Sequence, residues 1–309
     1  MIKSVTITNY LGDAITMDLR KPNETGFLIK SIEGLGPVKA NINTTEIATR
    51  DGSMYNSSRA SQRNITMTIV FVDSEQRETI EGLRHKTYKY FPLKKNLTMA
   101  IETDTRTLQT IGYVESNEPE IFSSQEGTQI SIICPDPYFY SYGEDASQVT
   151  TFNGITPEFE FPFSNESLTE SLIEFGSINQ ASEGVVVYNG DSETGIRIYI
   201  HLLDEVSDII LYNLDTREMM KLYGDRIAAI VGSPLQAVDD ININTIKGQK
   251  SIELVREGIT YNILNSLDRN SAWFTVKKGD NLFAFTTTDP EETPNIQLSI
   301  ENPILYEGV

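Results

Sequence analysis

Residues 65–71 read Ile65-Thr66-Met67-Thr68-Ile69-Val70-Phe71, an alternation of apolar and polar side chains that ends in an apolar run. Successive side chains of a strand point to opposite faces of a sheet, so this period of two predicts a strand with one buried face. The same pattern recurs in the first half of the chain, at residues 5–10, 97–101 and 128–133. Gly, Asn, Asp and Pro separate these runs, and we therefore expect mainly β structure.

One helix is predicted to interrupt these strands, over residues 74–91. Asp73 is the expected N-cap, and Gln76 follows it at capping-box spacing. The residues that share one face of the helix are Ile80, Leu83, Thr87 and Tyr90. Pro92 ends the helix, which we expect to cover a sheet or barrel.

The second half of the chain also predicts strands. The runs lie at residues 184–188, 195–200, 208–212, 251–255, 259–263 and 282–285. Short strands at this spacing are typical of an antiparallel β-sandwich. The predicted fold is therefore mainly β throughout, with an N-terminal β-barrel or sandwich that includes one helix and a C-terminal β-sandwich.

The charge of the chain changes where the strand pattern breaks. Residues 1–140 hold 15 Lys and Arg against 17 Asp and Glu, whereas residues 141–309 hold 10 against 27. These counts give net charges of −2 and −17, out of −19 for the whole chain. Pro135 and Pro137 break the strand before this change, so we predict two domains, residues 1–142 and residues 143–309.

The negative charge argues against two classes of partner, nucleic acids and anionic membranes, because both attract clustered Lys and Arg. We therefore expect no sequence-specific nucleic-acid binding. No window approaches ~18 consecutive apolar residues, so we expect no membrane insertion. The first residues, MIKSVTITNY, lack the apolar run of a signal peptide. Cys134 is the single cysteine; it excludes an intrachain disulfide and is expected in the core.

No catalytic or metal-binding constellation is visible. His85 and His201 have no second histidine or cysteine near them in sequence, so zinc ligation is not expected. No nucleophile motif, zinc-protease motif or phosphate-binding loop occurs. Asp239 and Asp240 are neighbours, and neighbours in a strand face opposite ways. The turn at residues 189–193 offers oxygen ligands but lacks the spacing of a calcium loop. We predict no catalytic residues, no metal and no cofactor.

A polar loop of about 15 residues is predicted between strand signals around residues 50–63. Its residues of interest are Arg50, Asp51, Tyr55, Arg59 and Arg63. Long ordered loops line binding surfaces or reach neighbouring subunits, whereas a loop of this composition is also compatible with an unstructured surface segment. We take these five residues as candidate inter-subunit contacts.

Trp273 is the single tryptophan and precedes a Gly-Asp-Asn turn at residues 279–281. An aromatic side chain beside such a turn stacks on sugar rings in some proteins, but a lone tryptophan in a sandwich is more often part of the core. We therefore keep Trp273 as a sugar-stacking candidate and favour the core position.

The order of these features resembles the distal tail proteins (Dit) of siphophages. The matching segments are Gly34-Leu35-Gly36-Pro37-Val38, Arg50-Asp51-Gly52-Ser53-Met54-Tyr55 with Arg59 and Arg63, the strand at 65–71, the helix with Leu83 and Tyr90-Phe91-Pro92, and Cys134-Pro135-Asp136-Pro137-Tyr138-Phe139-Tyr140. The C-terminal half is similar, more loosely, to the galectin-like sandwich of that family. Residues 164–184 and 225–248 are longer than a compact sandwich needs.

The resemblance implies a structural hub in the virion, at the tail tip or baseplate, produced in the cytoplasm of the host bacterium. The N-terminal domain would form a homohexameric ring, or two stacked rings, around a channel for DNA. Its partners would be the tail tube protein, the tail-associated lysin or tip protein, and a receptor-binding protein. The acidic C-terminal domains would repel one another and stay apart.

Two other functions remain as alternatives. The C-terminal sandwich alone is compatible with a carbohydrate-binding module that contacts the host cell wall directly. A wall-hydrolysing enzyme is the third possibility, and no catalytic constellation supports it, so we predict that the protein is not an enzyme.

Overall fold

The computed structural model describes residues 1–49, 51–72, 78–143, 146–156, 177–180, 182–288 and 296–309. The chain forms two compact units. Unit 1 contains Met1–Ala146 together with Leu305–Val309, and unit 2 contains Ser147–Ile304. The predicted boundary at residue 142 assigned the last five residues to the second domain, whereas they pack with unit 1. In the described part of the chain, no helix has the length and apolarity that a membrane span requires.

Unit 1 consists mostly of antiparallel strands. In chain order they are β1 (Ile2–Asn9), β2 (Ala14–Asp18), β3 (Phe27–Glu33), β4 (Ala40–Glu46), β5 (Ser53–Ala60), β6 (Arg63–Phe71), β7 (Asn96–Thr103), β8 (Thr107–Glu120), β9 (Gly127–Cys134) and β10 (Phe139–Ser141), and a later strand, β25 (Leu305–Tyr306), joins them. The main sheet has the order β2-β1-β7-β8-β9-β6-β3, with β10 on β8 and β25 on β10. No pairing joins β2 to β3 among the described residues, so the sheet is open and not a closed barrel.

The predicted alternation decides which face of this sheet is buried. Ile65, Met67 and Ile69 of β6 are fully buried, while the threonines between them point outward. Each neighbouring strand adds its own buried set, and Cys134 lies in the same core, as expected. The strands predicted at 65–71, 97–101 and 128–133 are confirmed as β6, β7 and β9.

Helix α1 (Ile80–Tyr90) covers this core with Leu83 and Thr87. The predicted start was wrong: the helix begins at Ile80 because the Thr79 side chain caps it, accepting a hydrogen bond from the Gly82 N–H at 3.1 Å. The proposed capping residues Asp73 and Gln76 lie outside the described residues.

Unit 2 is also antiparallel. Its strands are β11 (Ser147–Thr151), β12 (Asn153–Thr156), β13 (Ser177–Gln180), β14 (Glu183–Tyr188), β15 (Thr194–Gly195), β16 (Arg197–Leu202), β17 (Ile209–Asn213), β18 (Glu218–Leu222), β19 (Asp240–Asn244), β20 (Ser251–Arg256), β21 (Ile259–Asn262), β22 (Thr275–Val276), β23 (Gly279–Thr287) and β24 (Ile296–Pro303). One short helix, α2 (Gly224–Val231), follows β18.

Two of its sheets form a sandwich, as predicted. The first has the order β11-β24-β16-β19-β20-β21 and the second has the order β14-β23-β17-β18. Alternate residues of both sheets, such as Ile198, Ile241 and Phe285, bury themselves in one shared core. The single strand predicted at 195–200 is two strands, β15 and β16, which belong to different sheets.

Candidate subunit-contact site

Strands β4 and β5 form a hairpin, hereafter the hairpin, that pairs with no other strand in the described chain. Every residue of both strands is exposed. A two-stranded sheet is marginally stable in water, and its two open edges present unpaired N–H and C=O groups. The hairpin is therefore an element with surfaces and edges free for another chain. The prediction of a polar loop in this region was wrong, because most of the segment is a strand.

Apolar side chains on the hairpin are unusually exposed. Ile42 is 65% exposed and Tyr55 is 61% exposed. The register pairs Thr44 with Tyr55 and Ile42 with Ser58, with a bulge between. Alternation and this bulge bring Ile42 and Tyr55 to one face. The Tyr55 hydroxyl lies 2.8 Å from the Ser58 hydroxyl, which orients the ring along that face.

The opposite face of the hairpin carries Arg59 and Met54, and Met54 is also exposed. At the tip, Asp51 precedes Gly52, whose φ of +89° makes the turn. Arg50 lies outside the described residues. The structure thus gathers Asp51, Tyr55 and Arg59 on a single element.

Arg63 does not belong to that exposed group. It is 1% exposed, and its guanidinium donates hydrogen bonds to backbone carbonyls of unit 1. Nε donates to Pro137 O at 2.8 Å, Nη1 to Gly34 O at 2.5 Å and Gly36 O at 2.7 Å, and Nη2 to Glu307 O at 2.7 Å. These five residues are hereafter the stem of the hairpin. The assignment of Arg63 as a subunit contact is therefore corrected: burial removes it from the surface.

The stem fixes both ends of the hairpin. Gly34 and Gly36 precede β4, and Arg63 follows β5, so one guanidinium joins the two ends across 29 positions of sequence. The Arg63 guanidinium also lies 4.3 Å from the centroid of the Phe139 ring, which shields it from water. Fixing both ends of a protruding element defines the direction in which it leaves the unit.

The electrostatics of the stem follow from burial. Loss of water lowers the pKa of the Arg63 guanidinium, while Cys134 and Asp136 act in the opposite direction. Burial likewise raises the pKa of the Cys134 thiol. An arginine stays protonated even so, and the four carbonyl oxygens supply the partial negative charge that its cation needs.

Gly34 is required at the stem for a steric reason. Its φ is +84°, and a Cβ there would lie 2.0 Å from the Asn64 carbonyl oxygen. Only glycine fits a position that is both left-handed and this close to backbone.

Residues 305–309 complete the stem from the far end of the chain. Strand β25 pairs with β10, and the Val309 N–H donates to Leu35 O at 3.0 Å. Arg106 donates to Gly308 O at 3.1 Å and stacks on the Tyr306 ring at 4.2 Å. The glycine motif at 34–36, Arg63 and the closing motif around Pro137 therefore meet at one place in the fold.

Sequence reasoning missed Ile42 and Met54. The strand Ala40–Glu46 reads ANINTTE, and its one large apolar residue gives no alternation to detect. The available signal is the group of β-branched residues Ile42, Thr44 and Thr45, which favours a strand. A second short and mostly polar run follows it in the sequence.

Trp273 is partly buried against the core of unit 2 and also lines a cleft in that unit. His85 is exposed on α1. His201 lies in β16 with its Nδ1 at 2.7 Å from an Asp240 carboxylate oxygen. Among the described residues, no cluster of His, Cys, Asp and Glu has the geometry of a metal site.

Residues 22–134 match the family described as "Phage tail protein RIFT-related domain". This range contains the hairpin, most of the stem and α1. No curated protein sequence matches the chain.

Among solved structures, the chain is similar to the Dit (gp 19.1) protein of phage SPP1, described as a paradigm of the hub adsorption apparatus in phages that infect Gram-positive bacteria. That match has a TM-score of 0.62 and 13% identity, and covers 97% of this chain and 98% of that one. Baseplate structures of phage p2 in the activated conformation match with TM-scores of 0.48 with strontium and 0.49 with calcium, each at 12% identity. Coverage is 97% of both chains for the first and 98% of both for the second.

The SPP1 match shows that the fold extends over both units. The family match covers the part of the chain on which the sequence resemblance was strongest. Residues 22–134 are similar to the phage tail protein family with the RIFT-related domain, and the predicted resemblance to siphophage distal tail proteins is confirmed.

Proposed function

We propose that this phage tail protein is a structural hub at the distal end of the tail, where copies of the chain form a homohexameric ring. The single observation that carries this proposal is the hairpin. Its 15 strand residues are all exposed and its two edges are unpaired in the described chain, yet the stem holds both of its ends. An exposed two-stranded element held this firmly gains stability when a neighbouring copy covers it.

In the proposed ring, the hairpin of one copy meets a different patch on the next copy. A closed ring of more than two copies needs heterologous contacts, in which one patch meets a different patch on the next copy. The face with Ile42 and Tyr55 supplies apolar area, and Asp51 and Arg59 supply charges of both signs that set the register. Arg50, next to Asp51 in sequence, remains part of this proposed contact.

The charge distribution supports a channel for DNA in the ring. Unit 1 holds 15 Lys and Arg against 20 Asp and Glu, a net charge of −5, whereas unit 2 holds 10 against 24, a net charge of −14. A wall that is only weakly charged lets DNA slide, because phosphates bind tightly only to clustered cations. Unit 2 is strongly acidic, so copies of this unit repel one another.

The same proposal names the partners. One side of the ring would contact the tail tube protein, and the other the tail-associated lysin or tip protein, with a receptor-binding protein attached through unit 2. This role is structural, not enzymatic. The chain would be made in the host cytoplasm and act in the virion.

Electron microscopy of the purified full-length chain tests the proposal. We expect ring-shaped top views with sixfold symmetry and a central opening, and side views that show either one ring or two. Particles of monomer size at high protein concentration, or an open filament, would contradict it.

A further inference from the structure

A cleft of about 510 Å³ opens beside Trp273 in unit 2. Arg226 of α2 lines one side of it. The polar residues that line the other side belong to the connection between β21 and β22: Asn265, Asp268, Arg269 and Ser271. Outside the cleft lining, the Lys250 Nζ lies 4.9 Å from the centroid of the Trp273 ring. Two guanidiniums therefore line the same cleft as the indole, and one ammonium lies over the indole ring.

The protein satisfies the cations of the cleft only in part, since the Arg226 Nη1 donates to Leu267 O at 3.3 Å and the Asp268 carboxylate lines the same cleft. Within the described ranges, Arg226, Arg269 and Lys250 form no ion pair with a carboxylate. Other cations of unit 2 do so, and their pairs are Arg197–Glu301 at 3.2 Å, Lys221–Asp208 at 2.8 Å, Arg256–Asp239 at 2.5 Å and Lys278–Asp191 at 3.1 Å. Two guanidiniums without an ion-pair partner in one cleft attract an anion locally.

The backbone of the cleft is fixed before any ligand arrives. The Asp268 N–H donates to Lys221 O at 2.9 Å, and the Ala272 N–H donates to Met219 O at 2.8 Å, so the connection runs along β18. Arg226 stacks on the Tyr223 ring at 4.2 Å. A fixed site loses less conformational entropy on binding than a mobile one.

The polar groups of the cleft offer both donors and acceptors. The Asn270 N–H and then the Tyr223 hydroxyl hold the pKa of Asp268 below its usual value, so its carboxylate stays an acceptor. The Ser271 Oγ accepts from the Lys221 N–H at 3.0 Å, which leaves its own proton to donate. The Asn265 amide supplies one acceptor and two donors.

We propose that this cleft binds an anionic saccharide, with the sugar ring against Trp273 and its phosphate or carboxylate facing Arg226 and Arg269. A guanidinium fork matches the oxygens of either anion. The indole supplies an apolar surface with a polar edge, which suits a sugar ring. An acidic peptide satisfies the cations but brings no ring of hydroxyl groups to Asn265, Asp268 and Ser271.

Fluorescence of Trp273 tests this directly, because it is the single tryptophan of the chain. The full-length protein is titrated with glucose phosphate, glucuronic acid, glucose and inorganic phosphate. Glucose phosphate, glucuronic acid or both should give a saturable change with a Kd on the order of 1 mM. Glucose and inorganic phosphate should each bind at least about tenfold more weakly.

Two variants and a control locate the site. Arg226→Ala and Arg269→Ala should each weaken binding about tenfold or more, because each removes a charge-assisted hydrogen bond. Arg269 is exposed, so its removal leaves the fold intact. Lys277→Ala removes the same charge from an exposed position that does not line the cleft and should change binding less than twofold.

Several results would overturn the proposal. The proposal fails if neither anionic sugar gives a saturable change in Trp273 fluorescence. Glucose binding as tightly as the anionic sugars would show that the cations have no role, and inorganic phosphate doing so would show that the sugar ring has none. Unchanged binding by Arg269→Ala would place the ligand elsewhere.

Discussion

The hairpin and its stem adjoin in the chain and differ in almost every physical property. All strand residues of the hairpin are exposed, while Arg63, three residues after β5 ends, is 1% exposed. The hairpin exposes apolar side chains such as Tyr55 to water. In the stem, the buried guanidinium of Arg63 donates hydrogen bonds to backbone carbonyls. This difference fits the proposal that the stem stabilises unit 1 and holds the hairpin ready for contact with another copy of the chain.

The contrast is sharpest between Arg59 and Arg63, which lie four positions apart. Both were predicted as subunit contacts. Arg59 is exposed on the hairpin and stays a candidate, whereas the carbonyls of the stem occupy Arg63. Substitutions at matched positions of the stem and the hairpin distinguish an effect on folding from an effect on assembly.

Arg63→Ala should have the largest effect. It leaves four backbone acceptors without their donor in a buried place, which costs about 3 kcal/mol or more. For unit 1 this corresponds to a fall in Tm of roughly 6–12 °C in calorimetry. Trp273 fluorescence reports the unfolding of unit 2, and the midpoint temperature of that transition should not change.

Arg59→Ala is the control for this prediction, since it removes the same side chain from the exposed hairpin. Its Tm should stay within about 1–2 °C of wild type. Equal melting temperatures for Arg63→Ala and wild type would show that the stem does not stabilise unit 1.

Leu305→Ala tests β25, the strand that brings Glu307 of the stem to unit 1 from the far end of the chain. Leu305 is buried in β25, so the cavity should cost about 3 kcal/mol. Leu11→Ala, at a position 69% exposed, should cost less than about 0.5 kcal/mol. Urea unfolding of both variants measures the difference, and similar values would mean that residues 305–309 are not part of the unit 1 fold.

Gly34→Ala adds a single methyl group at the stem, and its effect is compared with that of the same change at the hairpin tip. The new Cβ meets the Asn64 carbonyl, and the positive φ adds strain, so we expect a loss of about 2 kcal/mol or more. Gly52→Ala has a similar φ but no atom within 4 Å and should cost about 1 kcal/mol. Thermal unfolding monitored by circular dichroism measures both, and a reversed order would contradict the described stem geometry.

The double variant Ile42→Ser with Tyr55→Ser should have the smallest effect on stability. Both side chains are exposed in the single chain, so the free energy of unfolding should change by less than about 0.5 kcal/mol. A large loss of stability in the monomer would mean that the hairpin packs on its own chain. Ile111→Ser with Tyr113→Ser is the matched control, because β8 exposes the same two residue types to a similar degree.

The sequence was informative at several strands that have one buried face. The alternation at 65–71 predicted β6 because Ile65, Met67 and Ile69 face the core and the threonines face water. The hairpin gave no such signal, since both of its faces are exposed and its composition is that of a loop. Periodicity detects burial, and the hairpin is exposed on both faces in its own chain.

The stem was beyond sequence reasoning for a different reason. Arg63 and Glu307 are 244 positions apart, and β25 has only two residues. A contact through a backbone carbonyl places no demand on the identity of Glu307, so no residue type marks it. The start of α1 was predicted too early because Asp73 is a residue type that caps helices, whereas the helix begins at Ile80 with Thr79 as its cap.

The mass of the assembly in solution tests the central claim most directly. Native mass spectrometry compares the wild-type chain, Ile42→Ser with Tyr55→Ser, and Ile111→Ser with Tyr113→Ser at one protein concentration. If the hairpin joins neighbouring copies, wild type and the β8 control are hexamers or pairs of hexamers, while the hairpin variant is a folded monomer. A hairpin variant that assembles as wild type does, or a wild-type chain that stays monomeric, would contradict the account.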